Sequence, residues 1–156
     1  MGPYFDVIDS PLGPLYACAD ERGALTEIRL RGDAPVGVRD VERLSPVRRQ
    51  LDEYFAGERR EFELALDPLG TAFQQRVWHA LLTIGYGKIV SYRRLAELIG
   101  SPAATRAVGR ANGANRIPIV IPCHRVIASD GSLGGYSGGL DIKARLLALE
   151  GHSYAI

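Results

Sequence analysis

The chain has 156 residues, of which 46% are hydrophobic and 24% charged, and its formal net charge is +1. These are ordinary values for a water-soluble chain with room for one domain or two small ones. No apolar run reaches the roughly 18 residues of a membrane span, no secretion-type leader opens the chain, two cysteines make no disulfide framework, and no Cys/His group has zinc-ligand spacing, so a cytoplasmic protein without metal or other cofactor is expected.

Residues 4–30 read as three antiparallel strands, Tyr4–Asp9, Leu15–Ala19 and Leu25–Leu30, separated by turns at Ser10–Pro14 and Asp20–Gly23. Cys18 falls in the middle strand among apolar neighbours and reads as structural. Gly32, Pro35 and Gly37 mark residues 31–44 as a loop. Ser45 is expected to cap a helix with Pro46 at its first position. Val47, Leu51, Tyr54 and Phe55 lie on one face of that helix, which Gly57 ends. Phe62–Leu66 alternates like another short strand. The turn Asp67-Pro68-Leu69-Gly70 then separates a β-rich N-terminal domain, residues 1–66, from a helical C-terminal domain, residues 67–156.

Thr71 and Gln74 form a capping box, and the helix behind it carries a stripe of Phe73, Val77, Ala80, Leu81 and Ile84, with Trp78 and His79 beside the stripe. Ser91 caps a second helix, Tyr92–Ile99, with Gly100 just past its end. Ser101-Pro102 opens a third, from Ala103 to about Ala111. Two short helices joined by a Gly-containing turn outline a helix-turn-helix. Arg106 and Arg110, four apart, share one side of the second of them, whose Ala/Gly-rich surface permits close approach to a partner. Between Tyr86 and Arg125 seven basic residues stand against a single acid, Glu97, while the rest of the chain is net acidic. Charge alone fits a solvated face and a polyanion partner equally; charge together with the helix pair favours nucleic acid.

The stretch Ile121-Pro122-Cys123-His124-Arg125-Val126 joins a thiol, an imidazole and a guanidinium. The run Ile117–Ile121 reads as a buried strand that breaks at Pro122, leaving Cys123 at the edge of a core. A cysteine beside a histidine usually just packs, so any chemistry must be argued from the surroundings. Asn115, past the third helix, is placed to tie that helix to the Cys123 strand. After the turn Ser129–Ser132, the run Gly134–Gly139 is Gly-rich but lacks a phosphate-loop lysine motif; a plain loop and a ligand-facing backbone both fit. The last helix, about Asp141–Leu149, presents Ile142, Leu146 and Leu149, and Glu150 takes the next position on that stripe. A carboxylate there either faces water at a frayed end or pairs with an imidazole or guanidinium. In the second case Cys123, His124 and Glu150 make a nucleophile, a base and an orienting carboxylate, with thiol and imidazole in direct contact or joined by a water.

These pieces carry a resemblance. Phe73-Gln74-Gln75-Arg76-Val77-Trp78, Ser91-Tyr92, Arg106-Ala107-Val108-Gly109, Asn112 to Asn115, Ile121-Pro122-Cys123-His124-Arg125-Val126, Tyr136-Ser137-Gly138-Gly139 and Leu149-Glu150-Gly151 are similar, in order and spacing, to the O6-alkylguanine-DNA alkyltransferases over residues 70–151. Residues 1–66 match by strand pattern only. The resemblance implies an α+β fold, an N-terminal ribonuclease-H-like three-stranded antiparallel sheet with a helix followed by a C-terminal winged-helix domain. It implies direct reversal of DNA damage. Cys123 would accept the alkyl group from O6-alkylguanine in double-stranded DNA, with O4-alkylthymine a further candidate, once and irreversibly. His124 would take the thiol proton through a water with Glu150 behind it, and Tyr92 would donate to the guanine ring. Val126, Tyr136, Ser137 and Asn115 would form the base pocket. Arg106 would fill the place of the extruded base in the stack, and Arg106, Ala107, Gly109, Arg110, Tyr92 and Arg125 would meet DNA in the minor groove. A monomer with no membrane contact is expected.

Three other readings explain less. A relative that binds damage without repairing it lacks the reactive cysteine. A cysteine hydrolase does not account for the basic block. A plain helix-turn-helix regulator does not account for Glu150 or the Tyr136–Gly139 run.

Overall fold

The structure, a computed structural model, describes residues 3–152. It divides into two compact units: Met1–Leu69 together with Arg116–Pro118, and Gly70–Asn115 together with Ile119–Ile156.

In the first unit β1 (Tyr4–Ile8), β2 (Leu15–Ala19) and β3 (Leu25–Arg29) form an antiparallel meander, with Phe5 opposite Cys18 and Ala17 opposite Ile28. A fourth strand, β4 (Val38–Arg39), joins the far edge parallel to β1, so the order is β3-β2-β1-β4. Residues 31–44 are therefore not wholly loop. The Val38 N–H donates to Pro3 O and the Asp40 N–H to Phe5 O, which gives the open β1 edge its partners. Two residues are too few to show a periodicity of their own. Conversely, Phe62–Leu66 is not a strand; only Leu66 bridges, to Leu25.

Helix α1 (Ser45–Phe55) begins one residue earlier than expected. Ser45 is its first residue, Leu44 takes the cap position, and no side chain caps it. Val47, Leu51 and Tyr54 are buried as the pattern predicts, and so is Gln50. The Gln50 amide brackets Glu63, donating to its carbonyl and accepting from its N–H, which makes a buried polar residue tolerable. Asp6 occupies an inward position of β1 and is fully buried. Burial would raise its carboxyl. Hydrogen bonds from Arg48 on α1 (2.6 Å) and Arg39 on β4 (3.0 Å) outweigh that and hold it below the ordinary 3.8. Arg48 also donates to Val7 O, so one side chain pins α1 to β1.

The second unit opens with α2 (Ala72–Leu81), entered through a complete capping box between Thr71 and Gln74. Val77 and Leu81 are buried with Ile84 just beyond, but Trp78, expected beside the stripe, is buried as well. Its indole N–H donates to Ala111 O across the helix pair at 2.9 Å, and this tertiary hydrogen bond is what permits burial. Gly70 lies against the same ring, and a Cβ there would overlap it. Gly70→Ala is accordingly expected to cost about 1–3 kcal/mol through overpacking; an unchanged midpoint in chemical unfolding would contradict this.

Helix α3 (Tyr92–Leu98) is capped by the Ser91 hydroxyl, which accepts from the Arg94 N–H. Gly100 follows with φ +75°, as its place after the helix requires. Helix α4 runs from Thr105 to Gly113, two residues later at each end than expected, because Ser101–Ala104 forms a hydrogen-bonded turn first. Strand β5 (Val90–Ser91) pairs in parallel with β6 (Val126–Ile127). The run Ile117–Ile121 is not a strand. Pro118 and Pro122 lack the N–H a ladder needs, and Ile119 has φ +75°, a conformation that costs a β-branched residue about 1–3 kcal/mol. Cys123–Arg125 instead forms one 3₁₀ turn leading into β6. The unit closes with α5 (Leu140–Leu149). Among the described residues no helix is long and apolar enough to cross a membrane.

Candidate active site

The 3₁₀ turn presents Cys123, His124 and Arg125 on successive positions, all buried. Glu150, at the C-cap of α5, is also buried, and it pairs with both candidate partners. Its Oε2 lies 2.8 Å from His124 Nε2 and accepts from Arg125 Nη2 at 3.0 Å, while its Oε1 accepts from Arg125 Nε at 2.7 Å. The guanidinium keeps the carboxylate ionised, and an ionised carboxylate can only accept. His124 Nε2 must therefore carry the hydrogen, which leaves Nδ1 as the basic nitrogen. That Nδ1 is buried and has no protein partner among the described residues. Burial pushes the imidazole below its ordinary 6.5, only partly opposed by Glu150, so it is a neutral base.

The same shift has a stability consequence. The folded protein keeps His124 neutral where the unfolded chain takes up a proton, so stability falls as pH drops below 6.5. The thermal midpoint is expected to decline between pH 7 and pH 5.5, and His124→Gln is expected to flatten that decline; an identical slope in the variant would refute the assignment.

Arg125 does not face a partner. Its third nitrogen, Nη1, donates to Ile84 O at 2.6 Å, so every side-chain nitrogen is engaged inside the unit. The expectation that it contacts DNA is corrected: a charge buried beside Glu150 is more stable than one facing solvent next to an unpaired carboxylate.

Around the thiol, burial raises the Cys123 pKa, while the Asn115 and Tyr136 side chains, Lys143 and the backbone act against that rise. Asn115 ties the end of α4 to the Cys123 segment by donating to Ile121 O at 2.7 Å. Tyr136, which acts on the thiol as Asn115 does, also borders a cleft of about 510 Å³ together with Tyr92, Arg106, Gly109, Asn112 and Ser137. Tyr92 starts α3, and its hydroxyl donates to Gly135 O at 3.4 Å. Gly134 has φ +72°, and a Cβ on it would approach the Tyr92 ring to 2.8 Å, so the chain can pass this phenol only as glycine. Arg106 and Arg110 are exposed on α4, Ala107 and Gly109 half-buried between them. Lys88, Arg93 and Arg94 are exposed on the same unit.

Two site residues escaped the sequence reading. Lys143 on α5 is fully buried, and its ammonium donates to Val126 O (2.6 Å), Leu133 O (2.5 Å) and Gly135 O (3.2 Å). It thereby fastens the Gly-rich loop to the strand beside the thiol. Burial lowers it to about 8, opposed by the field of Cys123. A lysine in an apolar helix with no acid three or four residues away was the available signal. Asn112 is the other; it is 3% exposed and donates to Cys123 O at 3.4 Å. Among the described residues no group of three or more His, Cys, Asp or Glu could hold a metal.

Residues 72–152 match the DNA-binding domain of 6-O-methylguanine DNA methyltransferase and residues 4–68 match its ribonuclease-like domain. The chain belongs to the 6-O-methylguanine DNA methyltransferase family. A methylated-DNA–protein-cysteine methyltransferase of Methanosarcina acetivorans is 45% identical over 95% of this chain and 98% of its own. The constitutive enzyme of that name from Bacillus subtilis is 44% identical over 97% of both. The solved Mycobacterium tuberculosis OGT in complex with DNA is 49% identical, with a TM-score of 0.89 over 94% of this chain and 92% of that one. The whole constellation from Tyr92 to Glu150 falls inside the part of this methyltransferase fold that matches the DNA-binding domain.

Proposed function

We propose that the protein repairs DNA by direct reversal, moving the alkyl group of O6-alkylguanine in double-stranded DNA onto its own Cys123. The observation that carries this reading is the buried pairing of His124 Nε2 with Glu150, which leaves Nδ1, on the residue next to Cys123, buried without a protein partner among the described residues and the imidazole pushed toward its neutral form by burial.

His124 Nδ1 takes the thiol proton through a bridging water. The thiolate sulfur attacks the alkyl carbon, the carbon–O6 bond breaks, and the bonding pair leaves with guanine. Tyr92 gives that base a hydrogen bond as its charge grows, and the Ser137 N–H meets O6. The base reaches the thiol only out of the stack, and Arg106, exposed at the cleft mouth, takes its place there. Arg110, Ala107 and Gly109 lie along the DNA-facing side of α4. The thioether has no route back, so one chain repairs one lesion. A domain boundary within the turn Asp67–Gly70, just past the expected 66/67, is supported by the ends of the two domain matches at residues 68 and 72. The protein works in the cytoplasm, a reading supported by two free thiols, Cys18 and Cys123, which a reducing compartment preserves.

Incubation with an oligonucleotide duplex containing O6-methylguanine is expected to add one methyl group, on the peptide holding Cys123, and to stop at one equivalent. Continued turnover would overturn the reading. Arg106→Ala is expected to slow transfer from duplex by about tenfold or more, the scale of one well-placed contact, while transfer from free O6-benzylguanine changes little. Equal losses on both substrates would remove Arg106 from base extrusion.

A further inference from the structure

Beside the cleft lies a buried acceptor with no hydrogen-bond partner among the described residues. Asn112 lies on α4 with 3% of its surface exposed and borders the cleft. Its Nδ2 faces the Cys123 carbonyl at 3.4 Å, and its Oδ1 is buried without a hydrogen-bond partner among the described residues. The amide orientation is set by that carbonyl, since the reverse would oppose two oxygens. The side chain also lies close to the Tyr92 phenol, whose pKa burial raises against a smaller opposing pull from Asn112. An orphaned buried acceptor is costly to keep, and an apolar residue of the same shape would avoid that loss.

The chemistry of the incoming base supplies the missing donor. Alkylation at O6 locks the guanine ring without a hydrogen on N1. The exocyclic amine is then the only hydrogen-bond donor on the base edge. It has two hydrogens, and the backbone acceptors nearest the thiol are already shared: Cys123 O with Asn112, Val126 O with Lys143.

We propose that Asn112 is a specificity-determining residue whose Oδ1 accepts a hydrogen bond from the exocyclic amine of the extruded guanine. The proposal rests on the alkyltransfer reading above. Amine recognition then depends on this side chain, so a base without that amine is disfavoured.

The test compares single-turnover transfer from two duplexes, one holding O6-methylguanine and one O6-methylhypoxanthine, which differs only by lacking the amine. The wild-type protein is expected to prefer the guanine lesion. Asn112→Leu, similar in shape, is expected to shrink that preference by about five- to tenfold, the scale of one hydrogen bond. Asn112→Ala gives the same readout should the leucine variant fail to fold. A purely structural asparagine would lower both rates together and leave their ratio intact. A ratio within twofold of wild type in both variants overturns the proposal, as does a wild-type protein indifferent to the amine. If the wild-type protein methylates Cys123 with neither duplex, the alkyltransfer reading itself is overturned.

Discussion

Cys123→Ala is expected to abolish methyl transfer completely while leaving affinity for duplex DNA within about twofold. In the proposed reaction the sulfur is both the attacking group and the final acceptor, so no other residue can complete it. Cys18, the second cysteine, cannot substitute: it lies in β2, in the other unit, and burial pushes its thiol up to about 11. Cys123→Ser keeps the shape but offers a hydroxyl that ionises far less readily, and a rate loss on the order of a thousandfold or more is expected. The affinity should hold because the exposed arginines of α3 and α4 are untouched. Intact-mass measurement reports transfer and a salt-dependent binding titration reports affinity. Residual methylation of the alanine variant at any position would contradict the assignment.

The second large effect concerns Glu150. It is the common acceptor of His124 and Arg125, and all three are buried. Glu150→Gln leaves the guanidinium without a counter-charge in the interior, a loss of about 3–5 kcal/mol. It also removes the carboxylate that fixes the His124 tautomer, for which a loss on the order of 10⁴ in rate is the precedent in a comparable triad. The two effects separate in the double variant Arg125→Met with Glu150→Gln. Removing both charges is expected to restore much of the stability, since the cost came from the unpaired one, but not the transfer rate. If the single variant unfolds at the wild-type midpoint, the buried ion pair does not contribute as argued. If the double variant regains activity, Glu150 serves only the fold.

Most elements were legible because their signals are local. The capping box at Thr71 and Gln74, the Ser91 cap and the glycine after α3 depend on residues within a few positions, and the structure contains all of them. The three antiparallel strands were legible from alternation and turns. The misreadings share a cause. Ile117–Ile121 has strand composition, but its prolines and the backbone of Ile119 forbid a ladder. The β4 pairing and the burial of Trp78 each depend on a partner distant in sequence. Ser45 failed as a cap because the helix took it as its first residue.

For the site, the sequence alone determined which groups could do the chemistry: a thiol, an imidazole and a carboxylate on an apolar stripe, behind a basic helix pair. That much follows from residue type and spacing. Which way each group faces follows from long-range packing. It turned Arg125 inward to Glu150, held Lys143 on three carbonyls and left Asn112 with an open acceptor. The reason is physical. A buried polar atom is worth having only with its partner in place, and the partners of these three come from segments 8 to 41 residues away, which no local pattern encodes.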